Sequence, residues 1–214
     1  TSGDDNIASG FETAKNITIG SHNVAIGREA LATEDVGNTS IGIGSYALFS
    51  QNSDSDNEVT NNISIGYSSS YYNVTGKNNT ALGSFAMQGA SGDSNSDNTA
   101  LGYYSLYSIT TGGENVAIGS ASGDAITTGS RNITIGRYAG SAITTGSHNI
   151  AIGYASLDAV TTTSSQIAIG DFALSALTTG LYNTAIGTNA GKLMTANSSN
   201  TIIGDNAFIS ANGN

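Results

Sequence analysis

Asp171 and Asp205 each follow the glycine of a recurring pentapeptide, with one copy between them, and Asp124 and Asp158 are related in the same way. Glycoside hydrolysis needs two carboxyl groups roughly 5–10 Å apart. Strands stacked one per copy, at about 4.8 Å per strand, put each pair near that separation. Any regular ladder does the same, and nothing in the sequence marks a cleft around either pair. His22 and His148, the two histidines, both stand just before a copy, in a column that also holds Glu114, Arg131, Tyr182 and Ser199. So mixed a column faces solvent, and the two lie too many copies apart to share a catalytic triad. Asp93, Asn95 and Asp97, in "GDSNSDN", present alternating oxygen side chains like the opening of a calcium loop. The Gly and the distal bidentate Glu of a full loop are missing. The expectation is a chain with no catalytic residue and no required cofactor, with calcium as a partial match only.

The repeat sets the elements that position these groups. Its unit is Asn, a β-branched residue, a small residue, Ile or Leu, then Gly, closing at Gly20, Gly27, Gly42, Gly66, Gly83, Gly102, Gly119, Gly136, Gly153, Gly170, Gly187 and Gly204. A degenerate copy, "NIASG", closes at Gly10. From Gly102 onward every spacing is seventeen residues, whereas earlier steps vary. This predicts one domain over residues 1–214, with irregular rungs in 1–101, insertions near 51–61 and 88–97, and regular rungs in 102–214.

Within a copy, large β-branched residues flank a small one, as in Val116-Ala117-Ile118 and Ile133-Thr134-Ile135. Side chains alternate along a strand. The large pair is therefore expected to form the buried strip and the small residue an outer face that a neighbouring chain approaches. A further apolar column (Ile109, Ile126, Ile143, Val160, Leu177, Met194) predicts a second strand per rung. Helix is excluded by the β-branched content and the frequent Gly. The fold class is thus all-β, a parallel β-roll or β-solenoid with rungs of about 17 residues. Gly112, Gly129, Gly146 and Gly180 are expected at positive φ, and Thr163 in the same column predicts a turn of different shape. The Asn column is expected to hydrogen-bond from rung to rung.

The chain has six Lys and Arg against sixteen Asp and Glu, a formal net charge of −10. That field repels nucleic acid and anionic membranes. No apolar run approaches the roughly 18 residues of a membrane span. Cysteine is absent, which excludes disulfides and thiolate metal sites.

"NVAIGREALA" from Asn23 and "NTAIGTNAG" from Asn183 resemble the head repeats of YadA-like trimeric autotransporter adhesins, and similar repeats of some phage tail fibres. The resemblance covers nearly the whole chain. It implies a left-handed roll, a homotrimer, and a place on a bacterial surface or a virion fibre. The pair "NITIGSHNVAIG" agrees with a half-turn of seven residues, two to a rung. The seventeen-residue unit is longer than the family's.

Tyr67, Tyr103, Tyr104, Tyr138, Tyr154 and Phe172 fall just after the marker Gly and are the expected contacts for a ligand or another subunit. Paired threonines at 110–111, 127–128, 144–145, 161–162 and 178–179 adjoin a turn and need not form one flat face. The expectation is a non-enzymatic extracellular adhesive or structural fibre, associating with itself as a homotrimer or filament and binding a host or surface protein or glycan. A polymerising filament subunit and a phage receptor-binding fibre, with or without polysaccharide cleavage, are the alternatives.

Overall fold

The computed structural model describes residues 3–56 and 58–208. Asn57, inside the first insertion, and both chain ends lie outside the described residues. The chain forms two compact units, Thr1–Thr111 and Gly112–Asn214. The first contains β1 (Ile7–Ser9), β2 (Val24–Ile26), β3 (Ile41–Ile43), β4 (Ile63–Ile65), β5 (Thr80–Leu82) and β6 (Thr99–Leu101). The second contains β7 (Val116–Ile118), β8 (Ile133–Ile135), β9 (Ile150–Ile152), β10 (Ile167–Ile169), β11 (Thr184–Ile186) and β12 (Thr201–Ile203). Within each unit the six strands stack parallel in chain order, one per rung, so each unit is a parallel β-solenoid.

Only one strand occurs per rung, and the expected second strand is absent among the described residues. After the marker Gly the backbone alternates through left-handed positions, as at Tyr104 and Leu106 or Phe172 and Leu174. Among the described residues thirty-three non-glycine positions have positive φ. Each left-handed residue costs about 1–2 kcal/mol. Hydrogen bonds to both neighbouring rungs offset this: the Tyr138 N–H donates to Ser120 O at 3.2 Å and the Gly140 N–H to Ser156 O at 2.8 Å. The segment crosses between rungs like a strand without being extended.

The inward residue of most strands is small, which reverses the expected facing of the strands, and the large side chains of the interior, such as Leu106, Leu157 and Leu174, come from the segment after the marker Gly. Ala117, Thr134, Ala151, Ala168 and Ala185 are fully buried, while their large neighbours, such as Ile133 and Ile186, point outward and are more than a third exposed. Opposite the strand, Ser122, Ala139, Ser156, Ala173 and Ala190 close the interior, and Ile126, Ile143, Val160, Leu177 and Met194 fill its far end.

Two register assignments also change. The marker in "IGIG" is Gly44, at φ +125°, whereas Gly42 lies mid-strand opposite Ala25. Gly20 closes no strand and belongs to the far turn, where it accepts the Asn6 side-chain N–H at 2.7 Å. The seven-residue half-turn therefore does not exist. The first three rungs keep the seventeen-residue step, with longer steps only from Gly44 to Gly66 and from Gly83 to Gly102. The marker position excludes a side chain: a Cβ on Gly136 would lie 2.6 Å from the Gly153 carbonyl oxygen.

The buried Asn column links the rungs. Asn132 accepts the Asn149 N–H at 3.0 Å and donates through Nδ2 to Gly146 O at 2.9 Å, and Asn115, Asn149 and Asn183 make the same contact with the turn ahead. Gln166 substitutes, donating to Gly180 O at 3.0 Å. In the first unit Ser40 interrupts the column, and a polar interior replaces the apolar one there. Gln51 donates to Ser40 Oγ at 2.7 Å and to Glu34 Oε2 at 2.8 Å, while its own Oε1 accepts from Asn62 at 2.9 Å. Fully buried Glu34 also accepts the N–H groups of Asp35, Val36 and Gly37. A buried carboxylate is tolerable only with such a set of donors.

Gly129 and Gly146 do not adopt the expected positive φ, although Gly180 does, at +105°. Glycine is needed at the first two because a Cβ would meet the next rung's carbonyl oxygen at 2.3 Å. Thr163 breaks this fit. The N–H groups of Thr144, Thr145 and Gly146 all donate to Thr161 O, but among the described residues no equivalent bonds run from Thr161–Thr163 to Thr178 O. Thr163 Oγ1 is buried without a partner.

Asn132→Leu leaves the Asn149 N–H and the Gly146 carbonyl unpaired and is expected to lower unfolding free energy by about 2–5 kcal/mol, read by denaturant titration. Thr163→Gly removes the orphan hydroxyl and the obstructing Cβ; the denaturant midpoint should rise, by about 1 kcal/mol in free energy after the entropy of glycine is counted.

Candidate functional site

Two outward surfaces carry chemistry that the interior does not use. The first is aliphatic. Because small residues occupy the inside of each strand, the first and third residues of β7–β10 (Val116, Ile118, Ile133, Ile135, Ile150, Ile152, Ile167 and Ile169) form two adjoining rows on the outer face. None of the eight carries a polar atom on its side chain. In the first unit β2–β4 repeat the arrangement with Val24, Ile26, Ile41, Ile43, Ile63 and Ile65, and threonine enters the first row at Thr80 and Thr99. Contiguous apolar area of this kind is uncommon on a solvated monomer. The column alternation that shows two unlike faces was legible in the sequence; which face is outside was not.

The second surface is aromatic and sits at the corner after the marker Gly. In the first unit Tyr67 is joined to Tyr103 and Tyr104 through Phe85, with ring centroids 5.1–6.2 Å apart. Tyr103 and Tyr104 are 4.3 Å apart, and Tyr107 continues the series 4.5 Å from Tyr104. On the other side Tyr67 meets Tyr46 at 5.9 Å, which contacts Phe49 and Tyr71; those two stack at 4.8 Å and 12°. The Arg28 guanidinium lies over both Phe11 and Tyr46, at 5.8 and 5.7 Å, and is held by Glu29 at 3.1 Å. The second unit carries a shorter series: Arg137 over Tyr138, then Tyr154, then Phe172 with the Lys192 ammonium 4.4 Å from its ring centre.

All six aromatic residues expected from sequence therefore stand in one or other of these seams. Sequence reasoning missed Tyr46, Phe49, Tyr71, Tyr72, Phe85 and Tyr107, together with the cations Arg28, Arg137 and Lys192. The signal was present at two and five residues after the marker Gly, but it is hidden at Tyr46 and Phe49 when Gly42 is taken as the marker.

The remaining expected residues do not converge. Asp93 and Asn95 are buried in the coil, Asp93 accepting the Ala90 N–H, whereas Asp97 is exposed and accepts from Asn78 at 3.0 Å. Among the described residues no group of three or more His, Cys, Asp or Glu is placed to hold a metal. Asp171 is exposed and caps the Tyr154 N–H at 2.8 Å, and Asp205 bonds the neighbouring Asn206. His22 faces Asp5 at 3.6 Å on an open surface, and His148 is likewise exposed. In three of the threonine pairs the first hydroxyl bonds the next rung, Thr127 Oγ1 to Thr144 O at 3.2 Å, Thr144 Oγ1 to Thr161 O at 3.1 Å and Thr178 Oγ1 to Thr195 O at 3.1 Å, and the second threonine is exposed.

Asp124 and Asp158 are partly buried on one column with Ser141 between them, and burial pushes both carboxyls above the usual range. Compared with protein-family models, with curated proteins and with solved structures, the chain matches none.

A raised folded pKa means that the folded chain still holds the proton where the unfolded chain has released it. Stability from these groups therefore falls as pH rises from about 4 through the folded values. Replacing Asp124 and Asp158 by Ser, the residue already at 141 and 175, is expected to stabilise the chain at pH 7. The difference from the parent should shrink toward pH 4, measured by thermal melts at both pH values.

Proposed function

We propose that the chain is a non-enzymatic adhesive or structural fibre module, displayed outside the cell or on a virion, whose β-solenoid associates with further copies of itself. The observation that supports this is the aliphatic face. Strands that turn alanine inward and isoleucine outward leave apolar area in contact with water, and burying it against another apolar surface contributes about 25 cal/mol per Å². Like rows on identical chains present identical residues at identical spacing, so a second copy is the partner of matching shape. A homotrimer is the assembly implied by the resemblance to YadA-like heads, and the left-handed coil belongs to the same proposal.

Ile133→Lys with Ile150→Lys adds two charges to the centre of this face without touching the interior. Light scattering should give the wild-type chain a mass that is a multiple of 21.5 kDa and the double variant the mass of one chain, with circular dichroism unchanged. A single-chain mass for wild type across micromolar concentrations would refute the proposal.

A further inference from the structure

The rings of the first unit lie on the outer corner of the coil, where they fill no part of its interior. The seam draws on the two positions after the marker Gly; the first accepts Ser120 and Arg137 elsewhere and the second Ala121 and Ala155, so the fold does not require aromatic residues at either. Yet four successive rungs supply one or more rings each: Tyr46, Tyr67, Phe85, then Tyr103 with Tyr104. Tyr67 is 48% exposed and Tyr103 54%. The result is a row of edge-to-face rings 5.2–6.2 Å apart along the stack, and it suits a partner that is itself linear and repeats on a similar scale.

The chemistry narrows that partner. The formal charge of −10 disfavours nucleic acid and anionic glycans. Most of the rings are tyrosines, which pair an apolar body with a polar tip, unlike the hydroxyl-free aliphatic face. Burial pushes the Tyr71 phenol up, and the hydrogen bond with Tyr104 does the same for Tyr103, so both remain O–H groups at neutral pH. The Glu29 carboxylate, close enough to act on Tyr71 and fixed by Arg28, supplies an acceptor at the edge of the platform. Apolar faces bordered by hydroxyl-matching donors and acceptors complement pyranose rings, whose C–H faces are apolar and whose rims carry hydroxyls.

We propose that the aromatic seam of the first unit binds a linear uncharged polysaccharide laid along the stack, its sugar rings seated on Tyr46, Tyr67, Phe85 and Tyr103. This rests on the adhesive reading and names the class of ligand for it. The chain contains ten Tyr and no Trp, so tyrosine emission reports directly on the seam. Hydroxyethyl cellulose, galactomannan and dextran serve as neutral probes; heparin, oligo-dT and a proline-rich peptide serve as contrasts. Retardation in affinity electrophoresis and a change in tyrosine emission are expected with at least one neutral polysaccharide and with none of the contrasts. Tyr67→Ser with Tyr103→Ser should weaken that binding at least tenfold while circular dichroism and the scattering mass stay at wild-type values. The proposal is overturned by no binding to any neutral probe, by equal binding of the variant, by preference for heparin, oligo-dT or the peptide, or by a fall in scattering mass, which would make the seam a subunit contact. Failure of the self-association reading is separate: it shows as a single-chain wild-type mass with polysaccharide binding intact.

Discussion

The buried carboxamide column is the interaction on which the rest of the structure depends. Each Asn side chain offers a carbonyl acceptor and an amide donor group on a rigid plane. It uses the acceptor on the N–H of the corresponding residue one rung ahead, and the donor on the carbonyl of the turn that precedes that residue. Asn115, Asn132, Asn149 and Asn183, with Gln166, all bind that turn carbonyl. Buried as these side chains are, either group left unpaired costs about 1–3 kcal/mol, so the column holds both the register and the length of the rung. The departures obey the same accounting. Where Ser40 is too short to continue the column, Gln51 reaches inward and binds both Ser40 and Asn62. The carboxylate of Glu34 is then held by Gln51, Ser53 and its own turn.

A rung this tightly linked is narrow. The segment opposite the strand reverses φ at alternate residues, which brings it close behind the sheet, and its Ala or Ser column with the adjoining Leu, Met or Gly takes most of the space that remains. Larger side chains on the same strand have only the outside to occupy. The surface isoleucines are thus a consequence of the coil's width.

The outside then divides by residue type. Positions flanking the inward alanine carry Val, Ile, Leu or Thr, while the corner after the marker Gly carries Tyr, Phe and the cations that lie over them. One surface is aliphatic apart from its threonines, and it is the one the self-association proposal uses. The other has hydroxyls and a carboxylate at its margin and suits an amphipathic partner.

The sequence alone determined the parallel stack, the seventeen-residue step and the role of the Asn column, because a ladder must repeat the same residue at the same place to bond to itself. It also marked most of the corner aromatics, since they recur at a constant offset from the Gly. It did not determine which face of the strand is inside, because period-two alternation distinguishes two faces without assigning either to the core. Nor did it show that Gly44 and not Gly42 closes the third strand, since "IGIG" satisfies the pattern in both registers. Only the tertiary structure decided these points. The hydrogen bonds to the rungs on either side select one register, and left-handed backbone at residues such as Tyr138 and Leu174, which no local preference favours, sets a narrow coil that takes mostly small residues behind the strand.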